Sequence, residues 1–297
     1  MSVVLLILPD FLLVALGWIL LHRLGWTPVF FRDLEKLVYY ILFPALLFQS
    51  IVRTPISLGV AGSLFQATVM QVAFGVFMAW LAVPVLRPDR AAHASMAQTA
   101  YRFNTYMALS IGSSLGGSVQ TIIAIFVGFA VPLVNLAAVH SLARQHGRLL
   151  RELVRNPLIL ATCAGLAANF ARLDVPGFMS VTLDRLGACA LAAGLLCVGA
   201  TLSLHAMRGQ ARLMSWLISV RLLLMPVAAL VIGMVLGLSS AERLALLLFA
   251  AVPTASSAHV LAARMGGQPE VVAVTMSVGT IFSAITLPVW LLVGSHL

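Results

Sequence analysis

Acidic residues are scarce in this chain. Nine Asp and Glu stand against eighteen Lys and Arg in 297 residues, and charged side chains make up 9% of the total. Soluble domains run nearer a quarter. Cysteine is scarce as well. Cys163, Cys189 and Cys197 all fall in apolar stretches without metal-ligand spacing, so they read as small packing residues, and no metal site is expected. There is no HExxH and no CxxC. A Ser-His-Asp triad has only Asp10 as a candidate buried acid, and Gly112 to Gly117 is a Gly/Ser-rich helix end not preceded by a strand, which makes a phosphate loop a poor reading. The chain also lacks a polar linker, a low-complexity tract and any stretch that reads as a soluble domain. These absences argue against an enzyme and against a bound cofactor.

What remains is apolar. Hydrophobic residues make up 61% of the chain, in runs of about 18 or more that a water-soluble fold would not tolerate. Alternating ten-residue segments of a membrane β-barrel do not occur. The expectation is an all-α polytopic membrane protein with ten spans, at about 3–21, 36–53, 60–85, 92–114, 119–142, 157–171, 180–204, 212–237, 240–263 and 270–294. The first span has neither a basic segment before it nor a small-residue cleavage site, so it reads as a retained helix rather than a signal peptide.

The net charge of +9 would suggest nucleic acid in a soluble protein. Here the arginines sit mostly in short connections, and they read as topology. With the N-terminus outside, the inner connections hold Arg23, Arg32, Lys36, Arg87, Arg90, Arg144, Arg148, Arg151, Arg155, Arg208, Arg212 and Arg264, against only Arg53, Arg172, Arg185 and Arg243 outside. The positive-inside rule then places both termini outside and the middle loop in the cytoplasm. No nucleic-acid partner is expected. The partners are a lipid bilayer and a small solute.

The two halves repeat. Pro9 and Gly17 of span 1 match Pro157 and Gly165 of span 6. Glu35-Lys36-Leu37 aligns with Asp184-Arg185-Leu186, Gln71 with Arg221, and Val127-Gly128 with Val278-Gly279, all at offsets of 148 to 151 residues. Five spans per half is an odd number, so residues 149–297 enter the membrane upside down relative to residues 1–148. That is the inverted-repeat plan of secondary transporters.

Two interruptions lie at equivalent positions. Tyr101-Arg102-Phe103-Asn104-Thr105-Tyr106 sits in span 4, and Val252-Pro253-Thr254-Ala255-Ser256-Ser257 in span 9, with Thr105 and Thr254 separated by the repeat offset of 149 residues. If span 4 starts near His93, Arg102 is roughly 13 Å deep, close to the midplane, where an ionisable residue is a functional-site hypothesis. Pro253 has no N–H and frees the carbonyl about a turn before it. Asn104 or Thr105 can cap the helix that restarts after the first break. Both restarted half-helices would then point their positive N-termini at one centre, and with Arg102 nearby that centre favours an anion. The plain alternative is a kink at Pro253 and an interhelical hydrogen bond at Asn104.

Arg102, Asn104, Thr105, Pro253, Thr254, Ser256, Ser257 and Gln49 are the candidate substrate-binding residues. Gln49 lies toward the outer end of span 2, where packing is an equally good account. His259 and Asp10 are the candidate proton carriers. For His259 the alternative is a hydrogen-bonded structural histidine, and for Asp10 a place at the outer interface. Arg221 either pairs across the core or reaches the interface, while His140 and His146 read as interfacial. Spans 4 and 9 hold no acid beyond Glu242 at the edge, which places proton coupling or simple facilitated movement ahead of sodium coupling. The functional expectation is a secondary transporter of a small mono- or dicarboxylate working by alternating access. A sodium-coupled symporter, an anion sensor and an intramembrane lipid-modifying enzyme are the alternatives.

Leu37-Val38-Tyr39-Tyr40-Ile41-Leu42-Phe43-Pro44-Ala45-Leu46-Leu47-Phe48, Tyr101 to Tyr106 and Val252-Pro253-Thr254-Ala255 together resemble the auxin efflux carrier family in its short bacterial form, over essentially the whole chain. The resemblance implies the bile acid:sodium symporter and sodium/proton antiporter architecture. Spans 1, 2, 6 and 7 would form a scaffold that often dimerises, here a homodimer. Spans 3–5 and 8–10 would form a transport domain whose broken spans 4 and 9 cross at Asn104-Thr105 and Pro253-Thr254. It also implies a bacterial cytoplasmic membrane and organic anions such as malonate or malate. The chain departs from the plant form in lacking a long middle loop and in having Asn104 where the repeat would place a second proline.

Overall fold

A computed structural model describes residues 3–53, 61–115, 117–143, 155, 157–201 and 209–296. Among the described residues the regular structure is all helical, with no strand. The elements are α1 (Val3–His22), α2 (Pro28–Val52), α3 (Ala61–Leu86), α4 (Arg90–Met96, running on as a 3-10 turn Ala97–Ala100), α5 (Thr105–Leu115) and α6 (Gly117–Ala143). They continue with α7 (Pro157–Phe170), α8 (Gly177–Thr201), α9 (Ala211–Val235), α10 (Ser240–Ala251), α11 (Ser257–Arg264) and α12 (Pro269–Gly294). Six of these, α2, α3, α6, α8, α9 and α12, are long and apolar enough to cross a membrane on their own. The expected spans 4 and 9 each arrive as two shorter helices, α4 with α5 and α10 with α11. Most of the basic middle connection, Arg144 to Val154, lies outside the described residues.

One boundary differs from the sequence reading by eight residues. Helix α2 starts at Pro28, not near residue 36. Pro28 occupies the first turn and the Thr27 hydroxyl accepts from the Phe30 N–H at 3.3 Å, an N-cap followed by a proline that needs no N–H donor there. The first ten residues are strongly amphipathic. Arg32, Asp33 and Lys36 face outward, and Phe31 and Glu35 are buried. The charges hide this helical extension from any reading based on apolar runs.

Proline shapes the long helices in a consistent way. Wide π-type turns form at Val38–Leu42 and Val220–Leu224, immediately before the Phe43-Pro44 and Met225-Pro226 pairs. A proline ring clashes with the carbonyl four residues back and leaves it without its helical donor. For Pro226 that carbonyl is Leu222, and the Trp290 indole N–H donates to it at 2.8 Å. The adjoining Met225 carbonyl accepts from the Gln71 amide at 2.8 Å. These side chains of α12 and α3 therefore hold the irregular part of α9 in a fixed shape.

Helices α1 and α8 approach closely through glycine. A Cβ on Gly199 would collide with the Val14 carbonyl oxygen, and one on Gly17 with the Leu196 carbonyl oxygen. Small residues at such crossings let helix backbones meet where no hydrophobic drive operates between them. On the other side of the molecule α10 is enclosed by α6, α9 and α12. Every residue from Ala245 to Thr254 is buried. This brings the second interruption into the interior beside the first.

Candidate functional site

The two interruptions are in direct contact. Helix α4 loosens into its 3-10 turn and ends at Tyr101. After it Arg102 to Asn104 have no regular secondary structure, and α5 begins at Thr105. The Asn104 N–H donates to the Pro253 carbonyl at 2.8 Å. The Thr254 hydroxyl donates to the Thr99 carbonyl at 2.6 Å, and the Gln98 amide to the Ala258 carbonyl at 3.1 Å. Unwinding one helix at the centre of an apolar bundle leaves costly unpaired backbone groups. Here each break takes up polar groups that the other releases.

Both breaks are built as their residues dictate. The Asn104 side-chain oxygen accepts from the Met107 N–H at 3.1 Å, which is the expected N-cap of the restarted helix. At the second break, Pro253 deprives the Phe249 carbonyl of a donor. Arg221 supplies it, from Nη2 to Phe249 O at 3.0 Å and from Nε to Val252 O at 2.8 Å. Arg221 is 2% exposed and sits in the π-type turn of α9. Its charge meets the negative C-terminal end of α10, where a cation is favoured. Of the two readings left open for Arg221, the core-pairing one holds.

Arg102 is different. It is 3% exposed. Its Nη1 donates to the Ser257 hydroxyl at 2.7 Å and its Nη2 to the Asn135 side-chain oxygen at 2.8 Å, while Nε makes no hydrogen bond. Both partners are neutral. Among the described residues the ion pairs are Lys36–Asp33 and Arg53–Asp184, so no acid neutralises Arg102. A buried cation left in this state is expensive without a counter-charge.

Arg102 faces a cavity of about 60 Å³ lined by Phe43, Leu46 and Leu47 of α2, Arg102 to Thr105, Asn135 of α6, Leu158 of α7 and Ala255 to Ser257. The apolar wall comes from α2, α6 and α7, and the polar floor from the two breaks and Asn135. Ser256 stands at the N-cap of α11 with no side-chain cap bond. It is 5% exposed. The N-terminal end of α11 thus meets the cavity beside the guanidinium, a geometry suited to negative charge.

A second cavity of about 340 Å³ adjoins the first on the side of Arg53 and Asp184. Its walls include Leu46, Gln49, Ser50, Arg53, Thr105, Ala124, Val127 and Asp184. Leu46 and Thr105 border both spaces. The Arg53–Asp184 pair at 2.7 Å has both side chains more than 40% exposed. It is an open mouth rather than a sealed one.

Of the expected binding residues, Arg102, Asn104, Thr105, Ser256 and Ser257 come together around the first cavity. Pro253 and Thr254 line a much smaller space of about 10 Å³ with Thr99, Arg221 and Thr275. Gln49 lines the second cavity, where its amide donates to Ser180 and Asp184 at 2.7 to 3.2 Å. His259 is fully buried within α11 and borders none of these three cavities. Asp10 lies in α1, and its side chain is outside the described residues.

Three polar residues escaped the sequence reading. Asn135 and Thr162, whose hydroxyl lies 3.5 Å from the Asn135 amide, stand singly in apolar spans with no local motif to mark them. Glu35 is an acid inside the helical bundle, 6% exposed. The charged residues around it make the sequence read as a connection up to residue 36, which leaves Glu35 outside the span.

Comparison with known proteins bears on the class of molecule. The model of the family described as membrane transport protein matches residues 122–291. This chain belongs to that family of membrane transporters, the auxin efflux carriers, whose members are transporters and not enzymes. A Rhizobium meliloti (strain 1021) protein named "Putative malonate transporter" is 25% identical over 301 residues, covering 95% of this chain and 92% of its own length. The fold resembles that of a sodium–proton antiporter from Methanocaldococcus jannaschii solved at pH 8, with a TM-score of 0.64 at 14% identity, over 96% of this chain and 92% of the antiporter. That likeness concerns the fold alone.

Proposed function

We propose that the protein moves a small organic anion, of the dicarboxylate class that includes malonate, across the cytoplasmic membrane by alternating access. One observation carries the reading. Arg102 is buried at the crossing of two broken helices, faces a cavity, and has only neutral partners there. A carboxylate would supply the missing negative charge and accept from the guanidinium fork. Ser257 and Asn135 now take the two terminal nitrogens. Asn104 and Thr105 flank the fork, and the N-terminal end of α11 adds positive potential. The name of the Rhizobium relative supports the substrate class.

The reading includes ten crossings in two inverted five-helix repeats, with α4–α5 and α10–α11 as the broken fourth and ninth. Spans 1, 2, 6 and 7 act as scaffold, and spans 3–5 and 8–10 move. The match of each expected span to one helix or one broken pair supports this count. The arginine distribution supports both termini outside, so the cavity bearing Arg53 and Asp184 opens outward. A homodimer through the scaffold and coupling to protons complete the reading.

The test uses purified protein in two assays. Malonate should raise the unfolding temperature in detergent by mass action, and proteoliposomes should accumulate labelled malonate. Arg102→Gln should abolish both while the protein still purifies as a folded species. Arg102→Lys keeps the charge and loses the fork. It should weaken binding about 10- to 100-fold, the value of about 1.5–3 kcal/mol for a charged hydrogen bond. Wild-type behaviour in both variants would refute the site. Accumulation driven by a sodium gradient and indifferent to a proton gradient would refute proton coupling.

A further inference from the structure

The second cavity holds a polar cluster that is separate from Arg102. On α2, Leu46, Gln49, Ser50 and Arg53 line it, at the three- and four-residue spacing of one helix face. The stripe begins at Leu46, which also borders the first cavity. It ends at Arg53, about 10 Å farther along the helix at 1.5 Å per residue. Asp184 of α8 stands in the opposite wall. Arg53 lines only the second cavity and Arg102 only the first.

The bonds within the cluster are unequal. The Gln49 side chain is 5% exposed. Its amide donates to Asp184 Oδ1 at 3.2 Å and to the Ser180 hydroxyl at 2.7 Å, so it holds α8 without help from Arg53. Arg53 reaches the same two residues from a single nitrogen, Nη2, at 2.7 Å to Asp184 Oδ2 and 2.6 Å to the Ser180 hydroxyl. Among the described residues these two bonds leave Nη1 and Nε for a ligand. Arg53 is not needed to close α2 either. The Asn169 amide of α7 takes the Ile51 and Val52 carbonyls at 2.8 and 3.1 Å. The Arg53 side chain is 56% exposed, and an ion pair this open to water is weak. A second carboxylate can therefore draw Arg53 from Asp184 at little cost, while Gln49 keeps its hold on the acid.

We propose that Arg53 forms a second anion site, at the mouth of the second cavity, which captures the carboxylate substrate before it passes Leu46 on the way to Arg102. The incoming carboxylate takes the open side of the guanidinium. Asp184 remains in place as the competing anion, which keeps capture weak and reversible. Water and salt screen the exposed arginine, so the site fills only at malonate concentrations well above those that occupy Arg102. That the captured anion is the transported one, and that this mouth faces outward, rests on the proposed function. The anion site itself does not.

The experiment has one arm without transport and one with it. Saturation-transfer NMR with millimolar malonate on purified Arg102→Gln protein reads the mouth alone. The malonate signal should persist in that variant, fall to the level of empty micelles when Arg53→Gln is added, and return in part when Arg53→Lys is added instead. In oriented proteoliposomes of the otherwise wild-type chain, Arg53→Gln should raise KM for malonate supplied on the Arg53 side about fivefold and leave kcat within about twofold, since loss of a rim charge slows capture rather than turnover. Asp184→Asn keeps an acceptor for Gln49 and removes the competing charge, so it should lower that KM. Two substitutions that break one ion pair then act with opposite signs, which a purely structural pair would not produce. A signal in Arg102→Gln that is unmoved by Arg53→Gln, or no signal at all, would overturn the site. So would KM changes of the same sign from Arg53→Gln and Asp184→Asn. If Arg102→Gln transports as well as wild type, the proposed function fails at Arg102, and the NMR arm still decides Arg53.

Discussion

Replacing Arg221 with Met removes the donor that compensates for Pro253. The Phe249 and Val252 carbonyls now accept from Arg221 at 3.0 and 2.8 Å. Both residues are buried, at 1% and 0% exposure, and lie in a membrane interior without water to replace the lost donor. Each unsatisfied buried acceptor costs about 1–3 kcal/mol, so Arg221→Met should destabilise the protein by about 2–6 kcal/mol. The partner substitution Pro253→Ala restores an N–H four residues after Phe249. It should repair one of the two carbonyls and recover about 1–3 kcal/mol in the double variant. Titration with SDS in mixed micelles, followed by tryptophan fluorescence and extrapolated to zero SDS, measures all four corners of the cycle. The reasoning is refuted if Arg221→Met stays within about 0.5 kcal/mol of wild type, the ordinary range of a surface change. It is also refuted if the two substitutions prove additive.

Two further substitutions separate structure from function at the site. Asn104→Ala removes the cap of α5 and should cost about 0.5–2 kcal/mol. Asn104→Asp keeps the cap, yet places a negative charge beside Arg102 and should abolish the malonate thermal shift. Comparing the two by SDS titration and by thermal shift distinguishes capping from anion recognition, and full malonate binding by Asn104→Asp would count against the site. Leu46→Trp enlarges the residue shared by the two cavities. It should cut malonate flux at least tenfold and weaken binding in detergent as well, because Leu46 also lines the first cavity, and undiminished flux would show that the passage does not run past Leu46.

Much of the architecture is legible in the chain because a bilayer imposes harsh rules. An apolar run of about 20 residues has few choices other than a helix, and nearly every expected span coincides with a helix or a broken pair. The exception is instructive. The start of α2 is amphipathic, so its charges resemble a connection, and Glu35 was counted out of the bundle along with them. The breaks were legible for a related reason. Arg102, Asn104 and Pro253 are residue types that an apolar helix holds only where other groups make up for them.

The compensating groups were not legible. Nothing local marks Asn135 as the partner of Arg102, 33 positions away. Arg221 was visible as a buried charge, but its attachment to the Phe249 and Val252 carbonyls depends on how α9 bends at its π-type turn. Thr105 and Thr254 each follow a break, 149 positions apart, yet they line different cavities, because Pro253 and Asn104 are different devices. One break is closed from outside by Arg221 and the other caps itself.

The sequence by itself determined that this is a helical membrane protein, where its helices run, and at which two points they are interrupted. Those properties follow from hydropathy, from proline's missing donor and from the cost of polar groups in hydrocarbon, all of which act within a few residues along the chain. Only the tertiary structure decided what each of the two intramembrane arginines bonds, and that Arg102 rather than Arg221 lines the larger of the two spaces at the breaks. That depends on the partners reached through space, which are backbone carbonyls for Arg221 and neutral side chains for Arg102.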